Sequence, residues 1–262
     1  MGAASRFLAR AEGTRIWTLF PAGQTGRPSG LLIYSRSILF PVFRFSSGEA
    51  AGFLAGDLPP FPFSGKASLH AIQGLTEDME LLEANLGRRG LFASVRYDYE
   101  LRGLDLPGPH AVSAEARIPG LVIRTPGPGD MEALFSLQMN YEMEEVLPRD
   151  GRFNPAACRL GLERLLKTGI ILIACLGNSV LGKININARS FTRLQIGGVY
   201  VDPAYRNRGV AQALTAALIR RLYPGDKKFT LFVKKANIPA CRAYDKAGFV
   251  KIADYRISYY LE

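Results

Sequence analysis

Residues with nucleophilic, redox or metal-binding chemistry are scarce in this chain of 262 residues. Its two histidines, His70 and His110, stand far apart and fall in no HExxH or triad-like pattern. Its three cysteines, Cys158, Cys175 and Cys241, are an odd number without paired metal spacing. We therefore expect reduced structural thiols, no disulfide framework and no metal site, and we interpret both histidines as structural or surface residues.

Long apolar runs are also missing. No stretch of about 18 apolar residues occurs, and the opening residues Met1 to Arg6 lack the apolar segment of a secretory signal. Gly2 fits the acceptor position for N-myristoylation, but Arg6 stands where that motif has Ser or Thr. We interpret the opening residues as a cloning remnant or a disordered end, and we expect a soluble, cytoplasmic protein without a membrane partner.

The basic charge is unevenly distributed. The net charge of +10 suggests nucleic-acid binding, yet residues 1–118 hold 12 Lys and Arg against 11 Asp and Glu, and residues 119–262 hold 21 against 12. The excess therefore lies in the half where a phosphate-rich cofactor would bind, which disfavours a nucleic-acid partner.

Turn-forming clusters divide the chain at residues 21–26, 57–62, 106–109 and 126–129. The third resembles a linker, so we predict an N-terminal α+β domain at 1–118 and a second domain at 119–262. In the second domain, residue patterns predict the order β-α-α-β-β-β-α-β-α-β. Its strands are predicted at 120–125, 170–176, 180–188, 194–201, 229–234 and 249–261, and its helices from 131, at 155–167, 210–222 and 239–246. The apolar face of the first helix shifts along its length, which predicts a break between Gln138 and Tyr141.

The N-terminal half shows the same order as residues 170–261. Strands are predicted at 16–20, 31–34, 37–45, 67–72 and 91–101, and helices at 48–54 and 76–86. Residue identity gives no support, so a degenerate internal duplication is a hypothesis from pattern alone. Different strand orders in the two halves would contradict it.

The most specific stretch is Val199 to Ala211, followed by an apolar-periodic helix at 212–222. It consists of a strand, a stop at Pro203, an arginine-rich loop and the start of a helix. The unpaired N–H groups of a first helical turn, with the positive end of the helix dipole, form an anion site. Gly209 allows close approach of a phosphate. An isolated pair of arginines is more often a solvated turn, but this setting favours a diphosphate site.

Two motifs carry a resemblance to a family. Arg206-x-Arg208-Gly209-x-Ala211 resembles the (Q/R)xxGx(G/A) diphosphate loop of the GCN5-related N-acetyltransferase (GNAT) superfamily. One helix and one strand later, residues 237–249 are similar to its NxxAxxxYxxxGF segment. The resemblance covers residues 119–262 and implies a mixed-sheet α/β fold (α+β mixed sheet) there. Under the duplication hypothesis, the smaller α+β N-terminal domain would be a degenerate tandem copy of it.

The resemblance also implies an enzyme that transfers an acetyl group from acetyl-CoA to an amine, with no metal. The strand at 194–201 would part from that at 229–234. The backbone N–H groups near Tyr200 and Val201 would polarise the thioester carbonyl. Asn237 would hold the cofactor arm. Tyr244 would protonate the departing thiolate, although a core aromatic residue fits the same spacing. The implied cofactor-binding residues are Tyr200, Val201, Arg206, Asn207, Arg208, Gly209, Val210, Ala211 and Asn237.

An amine acceptor must lose a proton, yet residues 193–198 lack the glutamate that many GNAT relatives carry there. Glu142 and Glu145, three apart, would share a helix face and could hold a cationic acceptor. A solvated acidic face fits them equally well.

We weigh three functions. The first is acetyl transfer to a small-molecule or protein amine by direct transfer in a ternary complex, with an N-terminal domain that shapes the acceptor site or mediates homodimerisation. The second is a non-catalytic acyl-CoA-binding or sensing module. The third, which the charge distribution disfavours, is nucleic-acid binding.

Overall fold

The computed structural model describes residues 4–11, 14–20, 28–46, 48–50, 52, 69–105, 116–149, 151–223 and 227–260. The chain divides into two compact units. Unit 1 comprises residues 1–99 and 253–262, and unit 2 comprises residues 100–252. None of the described helices has the length and apolarity needed to cross a membrane.

Unit 1 is a mixed sheet with one described α-helix of full length. Its elements are β1 (Ala4–Ala11), β2 (Thr14–Phe20), β3 (Gly30–Ser35), β4 (Ile38–Phe43), β5 (Ala71–Leu75) and α1 (Thr76–Gly87), with the start of β6 (Val95–Leu104) and the end of β12 (Val250–Tyr259). The strand order is β1-β2-β3-β4-β5-β12-β6. Strand β4 pairs with β5 in parallel, whereas the first four strands pair antiparallel.

Unit 2 repeats this plan with more helices. Its elements are β7 (Leu121–Arg124), α2 (Met131–Tyr141), a π-helical segment (Glu142–Val146), α3 (Pro155–Thr168), β8 (Ile171–Leu176), β9 (Ser179–Arg189), β10 (Arg193–Val201), α4 (Val210–Leu222), β11 (Lys228–Lys234) and α5 (Ile238–Lys246). The order is β7-β8-β9-β10-β11-β6-β12. Only the pairing of β10 with β11 is parallel among those of β7 to β11.

The two units share one strand order and the same pattern of strand directions, which confirms the predicted repeat at the level of topology. The limits of the compact units fall inside two strands, β6 and β12. The predicted boundary between residues 118 and 119 separates the repeats along the chain. The compact units instead divide at 99/100 and 252/253.

Most predicted elements of the second half are observed to within one or two residues. The opening residues differ from the prediction, because 4–11 form β1, whose backbone pairs with β2. The strand predicted at 67–72 lies at 71–75, and residues 67 and 68 are outside the described residues. Residues 48–50 and 52 of the helix predicted at 48–54 are helical, and the others are not described. The predicted helix break lies one residue later, at the π-helical segment 142–146.

The sheet of unit 2 is covered on both faces. Helix α4 packs its apolar side on one face, in a core that includes Ile184, Leu214, Leu218 and Phe229. On the other face, Leu134 of α2 and Leu162 of α3 pack against strand β8. Burial on both faces explains why β8 is an almost continuous apolar run, and each such side chain contributes about 1.5–3 kcal/mol of transfer free energy.

Replacing Ile257 with Pro is expected to destabilise unit 1. Ile257 lies in β12 and pairs with Gln73 of β5 inside the sheet, where proline removes a ladder hydrogen bond. We expect a loss of about 3 kcal/mol, measured by urea unfolding. Trp17 is the single tryptophan and is buried in the unit 1 core, so its fluorescence reports on this unit. The control Ile257→Val should cost about 1 kcal/mol, and an unchanged midpoint for Ile257→Pro would show that β12 does not support unit 1.

Candidate functional site

The central feature of unit 2 is an opening between two parallel strands. Pairing of β10 with β11 covers only Arg193 to Ile196 against Lys228 to Leu231. Beyond these residues the two strands part, while β10 continues to pair with β9 as far as Val201. The separation that the resemblance implied is therefore present in the fold.

An extra residue in β10 lies at the start of this opening. Gly197 is opposite Asn185 and Tyr200 is opposite Lys183, so three steps along β10 match two along β9. Gly198 has φ +57°, and a Cβ atom there would collide with the side-chain oxygen of Asn185. The positive φ favours glycine at position 198, and any side chain there would also have to displace the side chain of Asn185.

A buried lysine lies beside this bulge. The Lys183 Nζ donates a hydrogen bond to the Gly198 carbonyl at 2.9 Å and lies 4.6 Å from the centre of the Tyr141 ring. The side chain is fully buried. Burial lowers the pKa of Lys183 to about 7, although the nearby Glu142 carboxylate and Cys158 thiol oppose this shift. Burying the Lys183 ammonium therefore costs free energy, and its hydrogen bond to the Gly198 carbonyl offsets only part of that cost.

The predicted anion site is at the end of β10. Asn207 has φ +61°, and Gly209 has φ +83° as the residue that precedes α4. Among the described residues no side chain caps this helix, so the amides of its first turn have no side-chain partner there. The Arg208 guanidinium lies 5.7 Å from the centre of the Tyr205 ring. Val210 is buried in the core, which fixes the start of the helix.

Arg206 is turned back towards the sheet. Its Nε donates to the Val201 carbonyl at 3.0 Å, and its terminal nitrogen donates to Glu144 at 2.8 Å. The guanidinium also lies 5.1 Å from the centre of the Tyr200 ring. Its role as a phosphate ligand stays a prediction, and in this conformation its charge is already paired.

The π-helical segment, here called the acidic turn (Glu142–Val146), carries three carboxylates with different partners. Glu142 accepts a hydrogen bond from Gln138, whereas Glu145 accepts one from Asn237 and lies 3.5 Å from the Lys234 ammonium. Glu142 and Glu145 lie in a π-helical segment and not in an α-helix, and the shared face expected for them stays a prediction. Their role in acceptor binding stays a prediction.

Glu144 connects the acidic turn with the end of β10. It accepts a hydrogen bond from the Tyr200 hydroxyl at 2.5 Å as well as the bond from Arg206. Burial tends to raise the pKa of Glu144, but these two donors and the Arg206 charge outweigh it and the pKa is lowered. Burial and the Glu144 carboxylate raise the pKa of Tyr200 to about 12. Tyr200 therefore keeps its proton and Glu144 stays ionised.

Helix α5 places the second motif at the other side of the opening. The Asn237 side chain caps the helix by accepting from the Ala240 N–H at 3.1 Å. Tyr244 is buried and its ring packs edge-on against Phe249 at 5.9 Å. Burial is the main cause of the raised pKa of Tyr244, and the neighbouring Tyr141 and Glu145 add to it. The core-aromatic interpretation therefore holds for its ring, while its role as an acid stays a prediction.

A buried arginine holds α5 in place. Arg102 of β6 donates to Asp245 at 2.5 Å and to the Cys241 carbonyl at 3.2 Å, and it also pairs with Glu100. These contacts fix the residue next to Tyr244 within unit 2.

The cysteine thiols are free; Cys158 and Cys175 are buried and Cys241 is half-buried.

Sequence reasoning missed Glu144, Lys183 and Tyr141 as parts of this site. The alternation of polar and apolar residues in Lys183-Ile184-Asn185-Ile186 marks a polar face in a strand that helices cover on both sides. That pattern was the available signal for Lys183. Nothing in the sequence distinguishes Glu144 from its two acidic neighbours, because their partners come from distant residues.

Comparisons with known proteins agree with this geometry. Residues 133–249 match the acetyltransferase (GNAT) family. The matched residues lie in unit 2, and the resemblance to the GNAT superfamily predicted from the two motifs is confirmed for them.

The chain is also similar to solved structures of low sequence identity. A Drosophila protein gives a TM-score of 0.62 at 14% identity, covering 94% of this chain and 79% of that chain. An acetyltransferase of the GNAT family from Colwellia psychrerythraea gives 0.59 at 10% identity, covering 95% and 86%. A tandem GNAT protein from the clavulanic acid biosynthesis pathway gives 0.56 at 13% identity, covering 97% and 85%. At these identities the similarity concerns the fold.

Replacing Lys183 with Met is expected to change how stability depends on pH. The pKa of Lys183 is about 7 in the folded protein against an ordinary value of 10.5. Between these values the unfolded chain binds more protons, so the wild type gains stability as the pH rises. Below about pH 7 the amine is charged in both states and the burial cost is fully present.

The difference in unfolding free energy between wild type and Lys183→Met should shift in favour of the wild type by about 1–2 kcal/mol from about pH 7 to about pH 9. Urea titrations followed by circular dichroism measure it. Lys167→Met, which removes an exposed lysine of α3, is the matched control and should show no such trend. A pH-independent difference for Lys183→Met would mean that the lysine is charged in both the folded and the unfolded state over this pH range.

Proposed function

We propose that unit 2 transfers an acetyl group from acetyl-CoA to an amine by direct transfer in a ternary complex. The observation that carries the proposal is the start of α4, which no side chain of the described residues caps and which follows β10, the strand whose pairing with β11 ends early. A diphosphate on the helix start and a thioester arm between the strands would occupy two adjoining features of one unit. The family match supports acetyl transfer as the reaction class.

The residues present fit the donor. The amides of Gly209, Val210 and Ala211, with the positive end of the α4 dipole, would bind the diphosphate together with Asn207 and Arg208. The arm would continue past Tyr200 and Val201 towards Asn237. Beyond Ile196, the described residues show no pairing of β10 with β11, and backbone amides of β10 on that side could donate to the thioester carbonyl.

The proposed reaction is a single displacement. The amine nitrogen attacks the thioester carbonyl carbon, the carbon–sulfur bond breaks, the nitrogen loses one proton and the sulfur gains one. Tyr244 is the donor to sulfur in this scheme. Because its pKa is raised, it keeps its proton before the reaction, and it acts first as a hydrogen-bond donor that stabilises the developing thiolate.

The acceptor is proposed to be a small-molecule or protein amine that approaches the acidic turn. Three carboxylates in an otherwise basic half of the chain favour a cation there. Glu144 and Glu145 already have basic partners, so an acceptor ammonium would compete with Arg206 and Lys234 for them. Cytoplasmic location and homodimerisation remain proposals from sequence alone.

The first experiment measures binding of coenzyme A by calorimetry and acetyl-CoA turnover by thiol release with a panel of amines. Gly209→Ala should weaken coenzyme A binding by about tenfold, since φ +83° costs an alanine roughly 1–2 kcal/mol and moves the amides. Gly161→Ala, at an open position on α3, is the matched control and should bind normally. Binding without turnover would favour the acyl-CoA sensing module, and no binding would reject the donor site.

Tyr244→Phe tests the second motif. We expect kcat to fall by about 100-fold while the affinity for coenzyme A stays within about twofold, because the ring packing against Phe249 remains. Thiol release at saturating substrates gives kcat, and calorimetry gives the affinity. An unchanged kcat would restrict Tyr244 to its packing role.

A further inference from the structure

The acidic turn interacts with both sides of the opening in unit 2. On the β10 side, Glu144 binds the Tyr200 hydroxyl and the Arg206 guanidinium. On the β11 side, Glu145 binds Asn237 and lies 3.5 Å from Lys234, whose ammonium also lies 3.5 Å from the Glu144 carbonyl. The turn therefore connects the ends of two strands that no longer pair with each other.

The observed pairing of Arg206 competes with its expected role as a phosphate ligand. It is the first residue of the diphosphate loop, yet its guanidinium is held by Glu144 and by the Val201 carbonyl. A guanidinium binds a carboxylate or a phosphate most strongly through two parallel N–H···O bonds. One edge of the guanidinium cannot form such a pair with a carboxylate and a phosphate at the same time. The negative charge of Glu144 thus competes with that of any diphosphate bound at the loop.

We propose that Glu144 is a positioning residue that holds Arg206 away from the donor site, and that donor binding exchanges the Glu144–Arg206 ion pair for an Arg206–diphosphate pair. The inference rests on the function proposed above. The exchange makes the affinity for the donor depend on the acidic turn, which lies in a different part of the chain from the diphosphate loop.

The exposure of the two partners makes the exchange feasible. The side chains of Arg206 and Glu144 are 42% and 43% exposed, and ion pairs between such side chains contribute little net stability. A diphosphate carries more charge than one carboxylate and can accept two parallel bonds from a guanidinium. Glu144 retains the Tyr200 hydroxyl after Arg206 leaves, so its carboxylate stays hydrogen-bonded.

Glu145, unlike Glu144, forms no hydrogen bond or ion pair with the diphosphate loop among the described residues. Its partners, Asn237 and Lys234, lie outside the diphosphate loop and keep the acidic turn attached at the β11 side. Loss of the Glu144–Arg206 pair therefore leaves the turn anchored at Tyr200 and at Asn237. The proposed exchange therefore needs only a movement of side chains, and the acidic turn stays folded.

The test is calorimetric titration of coenzyme A into wild type, Glu144→Gln, Arg206→Gln and the double variant. Glu144→Gln keeps a hydrogen-bond acceptor for Tyr200 and removes the charge, so the Kd for coenzyme A should fall by about three- to fivefold. In the Arg206→Gln background the same substitution should leave the Kd unchanged. Pantetheine, which lacks the diphosphate, should bind both Glu144 forms equally.

Glu132→Gln is the matched control, because it removes one carboxylate that pairs with Arg159 on the surface of the same unit. An equal fall in Kd for this variant would assign the effect to net charge and overturn the proposal. Unchanged affinity of Glu144→Gln, with coenzyme A still bound by the wild type, would overturn the exchange alone. Absence of coenzyme A binding in every variant would reject the proposed function and this inference with it.

Discussion

The site in unit 2 depends on the early end of one strand pairing. Strands β10 and β11 pair only as far as Ile196 and Leu231, because the extra residue around Gly198 changes the direction of β10. Both features that make a site follow from this: backbone amides without a strand partner, and a helix that starts beside the opening. If β10 paired along its whole length, the amides would be satisfied and the start of α4 would adjoin a closed sheet.

A buried cation next to the bulge shows that this geometry has an energetic cost. Lys183 is fully buried, and its hydrogen bond to the Gly198 carbonyl satisfies a backbone group that the bulge removes from the ladder. An apolar residue of similar length would avoid the desolvation cost but leave that carbonyl unpaired. The lysine is thus explained by the irregular backbone and does not require a role in proton transfer.

The sequence was sufficient for features that depend on neighbouring residues. The loop from Arg206 to Gly209, the helix after it and the order of helices and strands along the second half of the chain follow from turn residues, periodicity and two short motifs. Features that depend on distant partners were not accessible: the pairing of Glu144 with Tyr200, and the strand at 4–11, which exists because β2 pairs with it. The acidic turn was predictable only in part. The shifting apolar face indicated an irregular helix, but it did not indicate the π-helical winding.

The two repeats share a strand order, yet they differ where the site chemistry lies. In unit 1, β1 is followed almost directly by β2, whereas in unit 2 the equivalent connection from β7 to β8 contains α2, the acidic turn and α3. Tyr141, Glu144 and Cys158 all belong to that connection, and Lys183 is buried beneath it. The repeated sheet therefore supplies the scaffold, and the helical connection in unit 2 supplies the groups that contact its irregular strand. A duplicated fold with one elaborated copy explains why two units of the same topology contain a single described site of this kind, within the part of the chain that the structure describes.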